Sequence, residues 1–246
     1  MMRSFFLFCI AALLMVWPTR PKAELYIDVS EPHLEITMGF SGDTLTIFGT
    51  AQPKGDIIIL VKGPKNETII RRKIDVMGLW IHADSTTFTD VPGYYNVASS
   101  RPIQQIASDE ILYRNILGID SLVFTTDKKI ESEKHDRFQE ALIQNMQLRR
   151  LYSLTPDAVV FLNDNLFKTR ITMPAHVPTG QYIIEAFLFK DGILMDRQIH
   201  PFSVHQVGLS ADIYNFAHAR PFIYGLSVIM IALISGITAA FVLRRD

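Results

Sequence analysis

The sequence predicts a mainly β body, interrupted by a helical insertion and closed by one C-terminal transmembrane helix. Three observations predict it. From Leu25 to about Ser99, short runs rich in Ile, Val, Thr and Tyr alternate with turn residues, which is the pattern of consecutive strands. Near Pro102 the apolar residues change to helical spacing, and from Asp157 the strand pattern resumes. The last stretch, Phe222–Leu243, carries no formal charge and is long enough to cross a hydrocarbon core of about 30 Å.

The chain opens with MMRSFFLFCIAALLMVWPTRPKA. Arg3 supplies a basic start, Phe5–Trp17 an apolar core, and Ala23 a small residue at a cleavage point. Residues 1–23 therefore read as a secretory signal, too short for a comfortable span. The single cysteine, Cys9, lies inside that apolar core. A mature chain cleaved after it has no thiol, so its body is stabilised by packing and not by disulfides.

Seven strand-like runs follow: LYIDVS, HLEITM, TLTIFGT, DIIILVK, ETIIRRK, LWIHAD and YYNVAS. Glu-Pro, Ser-Gly-Asp, Gln-Pro-Lys-Gly and Gly-Pro-Lys-Asn separate the earlier ones, and all are turn chemistry. Short strands at this spacing predict an immunoglobulin-like β-sandwich over residues 24–101. DIIILV is apolar at both registers, which marks a strand covered on both faces.

Residues 102–156 read as helical. Ser100 is positioned to cap a helix with Pro102 in its first turn, Ser108 to cap another, and Gly118 to stop it. EKHDRFQEALIQNMQLRRLYSL predicts a longer helix with Phe138, Leu142 and Met146 on one face, ended before Pro156. A second small β-region, residues 157–208, contains DAVVFL, LFKTRIT, QYIIEAFLF and ILMDRQIHPFSV, with Asp191-Gly192 as a hairpin turn. VPGYYNVASS at Val91 echoes VPTGQYIIEAF at Val177. Two related β-modules and one shared sandwich are both compatible with that echo.

Residues 212–243 form the juxtamembrane segment and membrane helix, and 244–246 the tail. Only Ser227, Ser235 and Thr238 interrupt the apolar stretch, so it lacks the polar face of a soluble helix. Tyr214, Phe216, Phe222 and Tyr224 supply an aromatic belt, and Arg244 with Arg245 marks the cytoplasmic end. An inner-membrane, single-pass protein with a periplasmic body and a cytoplasmic C-terminus is the expected topology.

Lys plus Arg is 24 and Asp plus Glu is 25, a balance that gives no steering toward nucleic acid. The seven histidines, His33, His82, His135, His176, His200, His205 and His218, are dispersed, and no two share a helical or strand ligand spacing. His200 and His205 fall on opposite faces of one predicted strand. No metal or cofactor is therefore expected from local motifs. Ser99 and Ser100 lack the glycine-flanked elbow of a nucleophile, and no catalytic residues are assigned. GLWIHAD places Trp80, His82 and Asp84 on one strand face, with Trp80 and His82 as a partner surface or as a face covered by the helical segment. Ala232, Gly236 and Ala240 share one face of the membrane helix, spaced as small residues are in close helix packing.

LTIFGT, DIIILVKGP, RRKIDVMGLWI, FTDVPGYYNVASSRPI, FKTRITMPAHVPTGQYIIEAFLFKDG and YGLSVIMIALISGITAAFVLRRD resemble a family of uncharacterised alphaproteobacterial transmembrane proteins. His82 stands where that pattern leads one to expect asparagine. By gene neighbourhood, members of that family look like companions of sulfite-exporter-type permeases, so the resemblance implies an accessory role with a multi-span permease as partner. The missing acid–base and nucleophile constellations make a non-enzymatic module the expectation. The alternative is a periplasmic solute- or metal-binding module acting alone.

Overall fold

The computed structural model describes residues 23–76, 79–126 and 131–243, with the side chains of 72–76, 79–83, 209–211 and 241–243 outside that description. The expected signal sequence, apart from Ala23, and the expected tail lie outside the described residues. In chain order the strands are β1 (Glu24–Val29), β2 (His33–Ile36), β3 (Gly42–Gln52), β4 (Asp56–Lys62), β5 (Lys65–Val76), β6 (Leu79–Pro92) and β7 (Tyr95–Ser99). Helices α1 (Ile103–Ile106) and α2 (Asp109–Arg114), the short β8 (Thr125–Thr126) and α3 (Ser132–Leu148) form the insertion. Then come β9 (Asp157–Phe161), β10 (Leu166–Pro174), β11 (Gly180–Lys190), β12 (Ile193–Gln206), α4 (Leu209–Ala219) and α5 (Pro221–Leu243).

The fold is mostly β, as predicted, but its layers differ from an immunoglobulin-like sandwich. One nine-stranded sheet runs β1-β3-β10-β9-β7-β4-β11-β12-β2, and β5, β6 and β8 make a second, three-stranded sheet. The large sheet curls into a half-barrel: Leu25 N on β1 donates to Asp196 Oδ2 on β12 at 2.9 Å, joining strands near opposite ends of the order. The reason lies in the pairing. β3 takes β10, β4 takes β11 and β7 takes β9, so the early and late strands fill one another's open edges inside a single sheet.

Local chemistry explains the elements. β4 is buried at Ile57, Ile58, Ile59, Leu60 and Val61, as a strand covered on both faces must be. Asp191 and Gly192 both have positive φ, at 51° and 79°, and close the β11–β12 hairpin between Lys190 and Ile193, the type I′ geometry their sequence favours. In α3, Phe138, Leu142 and Met146 are buried. The cap assigned to Ser100 is corrected: Pro102 occupies the N-cap of α1, while Ser100 Oγ accepts from Ile57 N at 3.2 Å. The hydroxyl is held by the neighbouring strand before a helix can use it. Ser108 does stand at the N-cap of α2, without a side-chain bond.

Tyrosines tie the insertion to the sheet. Tyr95 Oη donates to Ile116 O at 2.7 Å and accepts from Gly118 N at 2.9 Å. Tyr152 Oη donates to Pro92 O at 2.8 Å. Burial pushes both phenols well above their ordinary range, so they serve as neutral hydrogen-bonding struts.

Candidate functional site

Among the described residues, three clusters of polar groups stand out from the surface ion pairs. The first is an open groove of about 790 Å³ whose lining includes Asn96, Asp157, Arg149, Arg150, Tyr152 and His176. Asn96 Nδ2 donates to Asp157 Oδ2 at 3.1 Å, and Asn96 Oδ1 is buried without a hydrogen-bond partner among the described residues. His176 Nε2 lies 2.6 Å from Arg149 O. Burial raises the Asp157 carboxyl above its ordinary value of 3.8, opposed by the Asn96 bond.

That shift has a signed consequence. A carboxyl whose native pKa is raised favours folding in its protonated form. The contribution is fully present below the unfolded value and is lost as pH rises through the raised native value. Asp157→Asn, which keeps an acceptor for Asn96, is therefore expected to gain stability relative to the unmodified chain as pH rises through that window. Denaturation midpoints measured across acidic pH check this, and parallel pH profiles for the two proteins would contradict it.

The second place is Glu185 on β11, 3 % exposed, whose two carboxylate oxygens are taken separately by Lys62 and Arg197. Arg197 also stacks over the Phe187 ring at 5.3 Å. With both oxygens engaged by cations, this carboxylate is a structural tie. The third is at the β2 edge. His33 Nε2 and Glu35 Oε1 are 3.4 Å apart, and the His33 and His205 rings lie with centroids 5.0 Å apart. Sequence spacing missed this cluster because its third member comes from a strand at the far end of the chain. The one local signal was His33-x-Glu35, which period-2 alternation places on one face.

The partner surface expected at Trp80 and His82 sits in the β5–β6 hairpin, with Trp80 opposite Asp75 and His82 opposite Lys73. Their side chains lie outside the described residues. Asp84, expected on the same face, accepts from Lys134 Nζ of α3 at 2.9 Å. Ala232, Gly236 and Ala240 are all exposed on α5, and a Cβ added at Gly236 would meet nothing within 4 Å.

α5 has 23 residues, which at about 1.5 Å each reach roughly 35 Å. Its Pro221–Ala240 span is long and apolar enough to cross a membrane and is 0 % buried. Ser227, Ser235 and Thr238 donate to backbone oxygens of Tyr224, Ile231 and Ile234, which satisfies their hydroxyls inside the helix, as lipid requires. Tyr214, Phe216 and Phe222 are exposed, as membrane-interface aromatics would be.

No match is found among curated proteins. Among solved structures, a chain described under "Structural basis of T cell specificity and activation by the bacterial superantigen toxic shock syndrome toxin-1" aligns with 75% of this chain and 100% of its own, at 6% identity and a TM-score of 0.28. That likeness is too slight to carry an argument. A family described as "Putative transmembrane protein (Alph_Pro_TM)" matches residues 24–245. With a β-rich body, one C-terminal apolar helix, and this match running through both, the chain belongs to that transmembrane family.

Proposed function

We propose that the chain is a non-enzymatic, single-pass inner-membrane protein whose periplasmic β body serves as an accessory or interaction module for a multi-span transporter. The observation that carries this reading is the small-residue face of α5. The body has its own continuous core, while Ala232, Gly236 and Ala240 stand exposed, with open space above Gly236. Faces of this kind let a second helix approach closely in lipid. Arg244 and Arg245 set the orientation, since basic residues beside a span favour the cytoplasm.

Purification of the full chain in mild detergent, with identification of co-purifying membrane proteins, tests the reading. A recurrent multi-span permease is the expected result. Gly236→Leu is then expected to weaken that association while membrane insertion persists, because it adds hydrophobicity. Within this chain a Cβ at Gly236 meets nothing within 4 Å, so no clash at that atom accounts for a loss. A cost of about 1–2 kcal/mol, the order of transmembrane helix contacts, corresponds to roughly 5- to 30-fold in association. Ile237→Leu, on a neighbouring face, is the control. Equal co-purification of the two variants would reduce α5 to a plain anchor.

A second reading, a solute-binding module acting alone, is favoured by the groove with the unpartnered Asn96 Oδ1. A small molecule retained by the purified chain without a permease would support it.

A further inference from the structure

The outer-face cluster on β2 and β12 has the makings of a metal site. β2 is a four-residue strand at the sheet edge, held by parallel pairing to β12. Leu34 points into the core, so alternation sends His33 and Glu35 to the other face together. On β12, Phe202 and Val204 are buried while His205 is exposed, and the register sets His205 directly beside Glu35. Two imidazoles and one carboxylate thus converge from strands that no local motif connects.

Their geometry suits coordination. One donor atom from each of His33, Glu35 and His205 can be chosen so that all three lie within 4.8 Å of one another. Metal–ligand bonds of about 2.0–2.1 Å at a tetrahedral angle separate neighbouring donors by roughly 3.3 Å. His33 Nε2 and Glu35 Oε1 already stand 3.4 Å apart. The rest of the closure falls to solvent-facing side chains, whose rotamers can turn without disturbing the core. We propose that His33, Glu35 and His205 bind one late first-row divalent transition ion, of the Zn²⁺ class. Imidazole nitrogen with a carboxylate oxygen suits that class, whereas Ca²⁺ and Mg²⁺ seek an all-oxygen shell.

The position gives such an ion a mechanical role. Val207 N donates to Ile36 O at 3.0 Å, extending the β2–β12 pairing to the point where the chain leaves for α4 and the membrane helix. A bound ion would clamp the edge strand to the strand that carries the body to its anchor. The proposal is independent of any permease, since it needs only this chain.

The test uses the full chain in mild detergent, purified with a histidine-free tag and titrated with Zn²⁺ against a chromogenic chelator. One Zn²⁺ per chain is expected, with affinity falling by at least about tenfold in His33→Ala, His205→Ala and Glu35→Gln, since even outer-shell changes cost metal sites that much. His200→Ala, on the other face of β12, should bind as the unmodified chain does. Pulsed EPR of the Cu²⁺-loaded chain should show two coupled imidazoles, and one after His205→Ala. That first measurement needs no variant. Fewer than two coupled imidazoles in the unmodified chain, absence of stoichiometric binding, or affinities unchanged in the three ligand variants would overturn the proposal.

Discussion

Glu185→Ala is expected to lower the unfolding free energy by about 3 kcal/mol, the lower end of what removing one partner from a buried ion pair costs. Glu185 is 3 % exposed on β11, an interior strand of the curled sheet. Its oxygens neutralise Lys62 and Arg197, whose side chains are 25% and 45% exposed. Without the carboxylate, Lys62 is left partly desolvated without the counter-charge that Glu185 supplies. The figure sits at the lower end because Arg197 can swing into water. Domains of this kind have only about 5–15 kcal/mol in total, so the shift should be plain in urea denaturation followed by circular dichroism. Asp164→Ala is the control. Its Lys54 pair is 62% and 90% exposed, and pairs so exposed contribute about 0–1 kcal/mol. Equal midpoints for the two variants would remove Glu185 from the account of what holds the half-barrel.

The second large effect is expected at Gly49, where β3 runs between β1 and β10. A Cβ there would stand 2.2 Å from Phe167 Cζ and 2.6 Å from Tyr26 O. Phe167 is the cross-strand partner of Gly49, and its fully buried ring lies across the bare glycine, a known way of shielding glycine in a curved sheet. Gly49→Ala must therefore displace both a ring and a neighbouring backbone, at a cost of about 1–3 kcal/mol or somewhat more, as in overpacked cores. Phe167→Leu costs stability by itself, but it removes the ring from that contact. The double variant should then lose less than the sum of the two single losses, because neighbouring sites are not additive. Strict additivity in denaturation midpoints would mean that ring and glycine are not in contact.

Much of the architecture is legible in the residues because it depends on local physics. Alternation and turn chemistry mark the strands, and Asp191-Gly192 dictates a hairpin through its positive φ angles. Phe138, Leu142 and Met146 name the buried face of α3, since a 3.6-residue period can present only one stripe to a core. The uncharged length of Phe222–Leu243 suffices for a span, because the hydrocarbon thickness is set by the bilayer.

What only the tertiary structure decided is which strands meet. A β-strand leaves its hydrogen-bonding edges open, and nothing in the periodicity of β4 names β11 as its neighbour. For the same reason the two β-regions, compatible in sequence with two related modules or one shared sandwich, contribute to one curled sheet, while β5, β6 and β8 form a second. Ser100 looked like a cap because the sequence shows only its helical side, not the β4 amide that reaches it first. His33 and His205 looked dispersed because their proximity exists only through the parallel β2–β12 register. Glu185 gave no sign of burial, since its counter-charges lie on two other strands. Period, turn and length are properties of neighbouring residues, whereas pairing is chosen among distant edges by the burial of the whole sheet.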